Sequence, residues 1–291
     1  PLANAVLGAV FESEIIVVEE AVPPALKISI SQGESSGRKI STTGGEVSAT
    51  VQIIDPNGEH SVDWSGSDES ITAIDGVLTE TELRFDPAAL NEGSIQLIAS
   101  VSDSGIADTT FTASILLKVT QQEVEADSDG DGIPDSKDTS DKANVIALNA
   151  DASSAAAASE EGTTIVIGDT ANSTDTAGIG ITEETLVESG GSDDEDYSYP
   201  SGILDFEVQD LPIPGESVRI VIPLPVAVPS DAVYRKYTEA SGWFDFVIDE
   251  NNNVSSAPGD SGACPDIGSS SYTEGLNEGD TCLQLTLQDG G

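Results

Sequence analysis

Short β-branched runs recur at regular spacing between residues 25 and 120, and they leave few folds open to this chain. Several runs alternate apolar and polar side chains, as Ile95, Leu97 and Ala99 do. Because successive residues of a strand point to opposite faces of a sheet, each such run predicts a strand with one buried face. Turn-forming residues separate the runs, which predicts an antiparallel β-sandwich. The runs read ALKISISQ, EVSATVQIID, EHSVDWSG, VLTETELRFD, GSIQLIASVSD and TTFTASILLKVTQ.

Similar runs continue towards the C-terminus, and helical periodicity is not sustained anywhere. We therefore predict an all-β fold of two antiparallel, β-sandwich-like domains joined by a metal-binding loop. Aromatic residues make up only 4% of the chain, so Trp64, Trp243, Phe244 and Phe246 are predicted core residues. The C-terminal runs read TTIVIGD, GILDFEVQD, SVRIVIPLPVAV, AVYRKYTEA, WFDFVIDE and CLQLTLQD.

The charge of the chain excludes several classes of partner. Its 291 residues carry 53 Asp and Glu against 10 Lys and Arg, a formal charge of −43. Nucleic acids and anionic membranes need clustered cations, which are lacking, whereas divalent cations are attracted. A hydrophobic content of 37% in strand-like runs argues against disorder. No apolar stretch approaches the ~20 residues of a transmembrane helix, so we expect no transmembrane segment in this chain.

The segment DSDGDGIPDSKD, residues 127–138, has the oxygen spacing of a calcium-binding loop. Counted from its first residue, acidic side chains stand at positions 1, 3, 5, 9 and 12, and Gly132 stands at position 6, where the chain must turn. Calcium takes about six to eight oxygen ligands, and this spacing wraps them around one centre. The alternative is a solvated acidic linker. The predicted ligands are the carboxylates of Asp127, Asp129, Asp131, Asp135 and Asp138 and the backbone carbonyl of Ile133.

This loop differs from an EF-hand, because Pro134 follows its centre, Asp138 replaces the usual Glu and flanking helices are absent. It resembles a thrombospondin type 3 repeat, whose pattern is D-x-D-x-D-G-x-x-D-x-x-D. Asp141 continues the three-residue spacing and could serve a second ion. We expect the loop to act as a rigid calcium joint, which mutual repulsion of the carboxylates would loosen in the absence of calcium.

Other candidate sites carry weaker signals. The single histidine, His60, has no nucleophile motif near it, so we interpret it as an exposed loop residue. The acidic residues at 193–196 (Asp193, Asp194, Glu195, Asp196) could hold calcium, but a solvated loop is the simpler interpretation. Asp249, Asn251 and Asn253 have a spacing that turns also show without metal. Arg219, Arg235 and Lys236 are expected to pair with carboxylates such as Asp205, Asp245 or Asp249.

Two cysteines, Cys264 and Cys282, predict a disulfide that closes a loop near the C-terminus, with two buried free thiols as the alternative. The chain begins Pro1-Leu2-Ala3 and contains no Met, so we expect a mature or excised chain whose leader has been removed.

The order of motifs after residue 125 resembles the choice-of-anchor U domain of bacterial surface proteins. The pieces that carry the resemblance are SVRIVIPLP, AVYRKY, GWFDF and LQDGG, and the match covers about residues 125–291. The preceding runs resemble immunoglobulin-like and PKD-like modules. The resemblance implies an exported protein of the bacterial cell surface with an interchangeable anchoring signal. Family members continue past the position of Gly291, so we expect that their tail is removed here or follows in a longer chain.

These patterns predict four segments and a leading function. Residues 1–24 form an apolar strand and hinge, residues 25–121 a sandwich, residues 122–148 a calcium joint and residues 149–291 the second β domain. Within the last, 149–162 is interpreted as a flexible linker or weak helix, and 188–202 as a loop. The expected function is non-enzymatic: a calcium-stabilised structural or adhesive protein whose partners are other surface proteins or copies of itself.

Two alternatives remain open from the sequence. Residues 5–18 (AVLGAVFESEIIVV) are apolar and β-prone without a hairpin partner, and an exposed strand of this kind invites pairing. A neighbouring subunit could accept it by strand addition, which would make the chain the subunit of an extracellular filament. The strand could instead pair within its own chain or continue a preceding domain. A secreted hydrolase around His60 is the second alternative.

Overall fold

The computed structural model describes residues 24–33, 35–54, 59–74, 81–103, 109–138, 140–149, 155–173, 177–194, 196–211, 215–238, 241–259 and 263–288. The described chain is mostly β, with several antiparallel sheets and two short α-helices, which confirms the predicted all-β class. None of the described helices is long and apolar enough to cross a membrane. The predicted strand at 5–18 lies outside the described residues.

Two four-stranded sheets make up the N-terminal half, residues 24–120. In the first sheet the strand order is β2-β1-β4-β6, with every pair antiparallel. In the second the order is β3-β8-β7-β5, and β3 pairs with β8 in parallel. The strands are β1 (Ala25–Gln32), β2 (Ser35–Ser36), β3 (Lys39–Ser41), β4 (Val47–Ile54), β5 (His60–Asp63), β6 (Glu82–Phe85), β7 (Gly93–Asp103) and β8 (Thr110–Thr120). A short 3-10 helix, Pro87–Ala89, follows β6.

The inner faces of these sheets share one apolar core, as expected for a sandwich. Ile95, Leu97 and Ala99 are all buried on one face of β7, which confirms the predicted alternation. Phe85 is fully buried, and Trp64 packs half-buried against the same cluster. Side chains of this size stabilise a fold by roughly 1.5–3 kcal/mol each when fully buried.

A six-stranded antiparallel sheet dominates the C-terminal half, residues 143–288. Its strand order is β19-β18-β20-β15-β10-β9. The last described strand, β20, therefore lies inside the sheet between β15 and β18. The strands of this sheet are β9 (Val145–Ala147), β10 (Ala156–Ser159), β15 (Ser217–Pro223), β18 (Asn253–Ala257), β19 (Thr273–Glu274) and β20 (Cys282–Gln288).

Three two-stranded sheets and two short helices complete the described part of this half. The pairs are β11 with β14, β12 with β13, and β16 with β17. Thr182 begins α2 as its N-cap, since its Oγ1 accepts a hydrogen bond of 3.0 Å from the Thr185 amide. The elements are β11 (Thr164–Ile167), α1 (Asp169–Ser173), β12 (Gly180–Ile181), α2 (Glu183–Glu188), β13 (Ile203–Leu204), β14 (Phe206–Gln209), β16 (Arg235–Thr238) and β17 (Gly242–Asp245).

Residues 149–162 are neither a linker nor a helix over their described part, which corrects the interpretation of the alanine-rich tract. Residues 156–159 form β10, which pairs with β9 on one side and with β15 on the other. Ala157 is fully buried in the core. Pairing with both neighbours outweighs the weak intrinsic preference of alanine for strands.

The disulfide between Cys264 and Cys282 is present, with the two Cα atoms 5.6 Å apart, and it confirms that prediction. Cys282 opens β20, so the bond ties the 265–281 segment to an inner strand.

Trp243 and Phe246 pack against the C-terminal core as expected, whereas Phe244 is half-buried outside that cluster. Within the described residues this core therefore consists of aliphatic side chains, and five partly buried aromatic residues pack against it: Phe206, Tyr234, Tyr237, Trp243 and Phe246.

Candidate metal centre

The loop from Asp127 to Asp138 turns twice at glycine. Gly130 and Gly132 have φ of +75° and +94°, in the left-handed region that L side chains rarely adopt. The Asp135 amide then donates to the Ala126 carbonyl at 2.8 Å and closes the loop. The calcium motif has glycine at position 6, where the chain turns sharply. The structure adds a second reason for glycine there: an added Cβ at Gly132 would lie 2.6 Å from Ile167 Cγ1.

The loop gathers three of the predicted carboxylates. Oxygen atoms of Asp127, Asp129 and Asp131 lie within 4.8 Å of one another. Asp127 and Asp131 are buried, and Asp129 is half-buried. Asp127 accepts from the Gly130 amide at 2.8 Å and from the Gly132 amide at 3.0 Å. These bonds hold the carboxylate of Asp127 beside the other two.

Two oxygens of this cluster have no partner. Asp129 Oδ2 and Asp131 Oδ2 are buried and receive no hydrogen bond, and no Lys or Arg among the described residues pairs with either carboxylate. Asp131 is fully buried, and only its Oδ1 is satisfied, by the Ile133 amide at 2.7 Å. A buried anionic oxygen without a donor is strongly unfavourable unless a cation compensates it.

Electrostatics lead to the same conclusion. Burial raises the pKa of Asp127 to about 6 and that of Asp131 to about 8. Burial, followed by repulsion from Asp138, also raises the pKa of Asp129. Ionisation of these carboxyls therefore costs free energy, and a cation bound between them would offset that cost. With oxygen as the only ligand type, the site suits a hard divalent cation such as calcium.

The remaining predicted ligands do not all join this cluster. The carboxylate of Asp138 is close enough to raise the pKa of both Asp129 and Asp131. Asp135 is exposed, and its two oxygens accept from the amide and hydroxyl of Ser128 at 2.6 and 2.7 Å. The Ile133 side chain is fully buried in the C-terminal core. Asp141 is exposed and lies outside the cluster.

The cluster touches both halves of the molecule. On one side, Ser36 Oγ of β2 donates to the Asp127 carbonyl at 3.1 Å. On the other, the Ile167 amide at the end of β11 donates to the Asp131 carbonyl at 2.9 Å. Anything that fixes the backbone of Asp127 and Asp131 therefore fixes a contact to each half. The sequence could place the loop between two domains, but it could not show these two contacts.

Ion pairs also connect the halves, and sequence reasoning missed them. Arg38, which precedes β3, is buried, and its guanidinium pairs with Asp169 at 2.6 Å and with Glu207. Lys27 of β1 pairs with Asp210 at 2.7 Å. Since the partners are more than 130 positions away in the chain, no local pattern could have indicated them.

The expected pairing of the C-terminal cations is correct in part. Arg235 pairs with Asp245 at 2.7 Å as expected, and also with the buried Asp194 at 3.0 Å. Arg219 pairs with Glu160 instead of the expected aspartates, because strand β15 places it beside the end of β10. Asp205 accepts from the Ala171 amide at 2.9 Å and so holds the start of α1.

The weaker acidic candidates form no metal cluster in the described residues. Asp194 is occupied by Arg235 and Tyr199, Asp193 and Asp196 are exposed, and Glu195 lies outside the described residues. Asp249 accepts from the amides of residues 251 and 252, both at 2.8 Å, which is the geometry of a turn.

The interpretation of His60 as an exposed loop residue is wrong. It begins strand β5 opposite Asp103 of β7, and it is half-buried. The sequence before His60 is typical of a turn, but His60 itself already pairs with β7 as part of a strand.

Comparison of the chain with protein-family models, with curated proteins and with solved structures found no match.

Proposed function

We propose that the chain is a non-enzymatic, exported structural or adhesive protein in which a calcium ion holds two β halves in a fixed arrangement. One observation carries the proposal: Asp127, Asp129 and Asp131 converge, and two of their buried oxygens have no partner. A cation at this position would satisfy both oxygens and neutralise part of the local charge.

Calcium is favoured over other divalent cations by the ligands and by the setting. Carboxylate and carbonyl oxygens suit calcium and magnesium, whereas zinc favours the nitrogen and sulfur ligands that this cluster lacks. Magnesium demands a near-ideal octahedron and releases its water reluctantly. Calcium accepts irregular sets of six to eight oxygens, and an irregular loop of acidic residues offers such a set more easily.

The position of the cluster supports a role as a joint. Its backbone contacts Ser36 in the N-terminal half and Ile167 in the C-terminal half. Without calcium, repulsion among the carboxylates would displace the loop and weaken both contacts together. The ion would thus act on the orientation of the two halves, with no need for it to take part in chemistry.

The exported, cell-surface setting rests on the resemblance to choice-of-anchor U domains and on the charge of −43. A calcium-rich medium favours a protein of this charge, because bound divalent ions reduce its self-repulsion. The disulfide agrees with an oxidising compartment. Other surface proteins or further copies of the chain are the proposed partners.

A calorimetric titration tests the proposal. We expect the intact chain to bind calcium and to gain thermal stability from it, and the double variant Asp129→Asn with Asp131→Asn to lose both effects. Because the substitutions also remove repulsion, the variant in chelator should melt at or above the temperature of the intact chain. Binding by the intact chain that survives in the variant would refute the assignment.

The matched control carries the same change of charge elsewhere. Asp193→Asn with Asp196→Asn alters two exposed carboxylates outside the cluster. This variant should bind calcium as the intact chain does. A loss of binding in the control would show that total charge, and not the cluster, attracts the ion.

A further inference from the structure

A groove with a volume of about 1300 Å³ lies between the two halves of the molecule. Strand β1 and the end of β4 line one side of it, and β14, β16 and residues 196–204 line the other. Pockets for small molecules usually measure about 300–1,000 Å³. The groove is larger, and strands form part of its walls, so its dimensions suit a segment of polypeptide better than a small ligand.

Many apolar side chains line this groove. Thirteen partly buried apolar residues pack against the C-terminal core, and all except Ala155 line the groove. Ile54, Tyr197 and Val233 also line it, with 43%, 43% and 50% of their surface exposed. The lining contains four cationic side chains and five carboxylates. The formal charge of the lining is therefore close to zero, whereas that of the whole chain is −43. Apolar patches of this kind on a protein surface often mark a site of interaction.

The groove also offers backbone partners. All four residues of β14 line it, and among the described strands β14 pairs with β11 alone. The second edge of β14 therefore has no strand beside it within the described chain. A free edge of this kind presents backbone amides and carbonyls that an extended segment can pair with, while its alternate side chains enter the apolar lining.

We propose that residues 5–18 of the same chain fill this groove as an added strand. This run is apolar and β-prone, with Glu12 and Glu14 as its only charges. The first described residue, Pro24, is buried and stands in the wall of the groove. The six residues that lead from Val18 to Pro24 span at most about 20 Å, which keeps the run beside the groove.

The short linker favours residues 5–18 of the same chain over residues 5–18 of a second copy as the segment in the groove. A segment joined to the groove by a short linker competes at an effective concentration of roughly millimolar. A second copy reaches that concentration only in a very concentrated solution. The added strand would cover the exposed lining, and it would link the start of the N-terminal half to the C-terminal half independently of the calcium cluster.

Hydrogen exchange on the full-length chain tests the proposal, with sedimentation run on the same samples. In a filled groove the amides of residues 5–18 should exchange at least about 100-fold more slowly than in an unstructured peptide. The chain should sediment as a monomer, and protection should not change on dilution. Exchange at the unstructured rate would overturn the proposal. Protection that disappears on dilution together with dimers or polymers would also overturn it, and would favour the filament alternative.

Matched variants connect that protection to the groove. Ile54→Glu with Val233→Glu places charges on its lip at exposed positions, so the fold should be kept while residues 5–18 lose their protection. Val247→Glu with Ile248→Glu makes the same change at exposed positions outside the groove and should leave protection unaltered. Equal protection in both variants would show that the run lies elsewhere.

Discussion

At the scale of single residues, the loop from Asp127 to Asp138 depends on two glycines for different reasons. Both Gly130 and Gly132 adopt a left-handed backbone, so either one disfavours a side chain. Gly132 alone also lies against a neighbour, since an added Cβ would meet the Ile167 side chain at 2.6 and 2.8 Å. At Gly130 the nearest atom, Ser36 Oγ, would be 3.7 Å away.

Alanine substitutions at these two positions therefore distinguish the free-energy cost of a strained backbone from that of overpacking the core. Gly130→Ala should lower the free energy of unfolding by about 1–2 kcal/mol through the backbone alone. Gly132→Ala should lower it by a further ~1–3 kcal/mol, because the core around Ile167 must move. Urea unfolding in the presence of calcium measures both. Equal losses would mean that the contact with Ile167 contributes nothing.

Part of the candidate site could be predicted from residue spacing and part could not. The spacing correctly brought Asp127, Asp129 and Asp131 together, because a turn at Gly132 leaves few other arrangements. It could not foresee that Ser128 would take both oxygens of Asp135, since hydroxyl partners leave no periodic signal. It could also not foresee that Gly132 would lie against Ile167, which is distant in the sequence.

At the scale of elements, strand boundaries were predictable where the alternation is strict. β1 and β7 coincide with their runs at residues 25–32 and 93–103. The alanine-rich β10 was missed because three alanines and a serine show no contrast between faces, and only its position between β9 and β15 makes it a strand. The cross-half ion pairs were missed for the same reason, namely that their partners meet only in the folded chain.

The disulfide should stabilise the six-stranded sheet mainly by restricting the unfolded chain. With a sequence separation of 18, the closed loop is worth about 3 kcal/mol. We expect Cys264→Ala with Cys282→Ala to lose about that amount of unfolding free energy and to speed amide exchange in β18 and β19. Amides of β7 and β8 serve as the internal control and should be unaffected, and unchanged exchange in β18 would contradict the prediction.

The ion pair at Arg38 should matter more than an ordinary surface pair. Its side chain is 6% exposed, and it contacts α1 and β14 from the other half. Arg38→Ala should cost about 1–3 kcal/mol, because two charge-assisted bonds and buried packing disappear together. Arg84, which is 36% exposed and pairs with Glu46 and Glu82 inside the N-terminal half, is the control.

For Arg84→Ala we expect a loss of at most about 1 kcal/mol. Thermal unfolding followed by circular dichroism compares the two variants under identical salt. An Arg84 variant that loses as much as the Arg38 variant would show that contact between the halves adds nothing to the pair.

At the scale of the whole molecule, repulsion and the joint act against each other. A charge of −43 tends to push the halves apart, while the cross-half pairs hold them together and the proposed calcium ion at Asp127, Asp129 and Asp131 would add to that hold. Removing calcium should therefore increase the radius of gyration measured by small-angle X-ray scattering. Equal magnesium should not restore the compact value, whereas added calcium should.

Salt provides the second arm of that experiment. Raising ionic strength from about 0.01 M to about 1 M shortens the screening length from about 30 Å to about 3 Å. In chelator, high salt should partly reverse the expansion, because repulsion is screened without filling the site. With calcium bound, the effect of salt should be small. Expansion that ignores salt entirely would mean that charge does not drive the opening.

The inner position of β20 has a mechanical consequence. This strand is in register with β15 over seven residue pairs and with β18 over five. Tension applied to the chain beyond Gln288 runs along β20, so both ladders are sheared at once and neither can be peeled open bond by bond. A link that breaks only by collective sliding tolerates greater load than an edge strand of equal length.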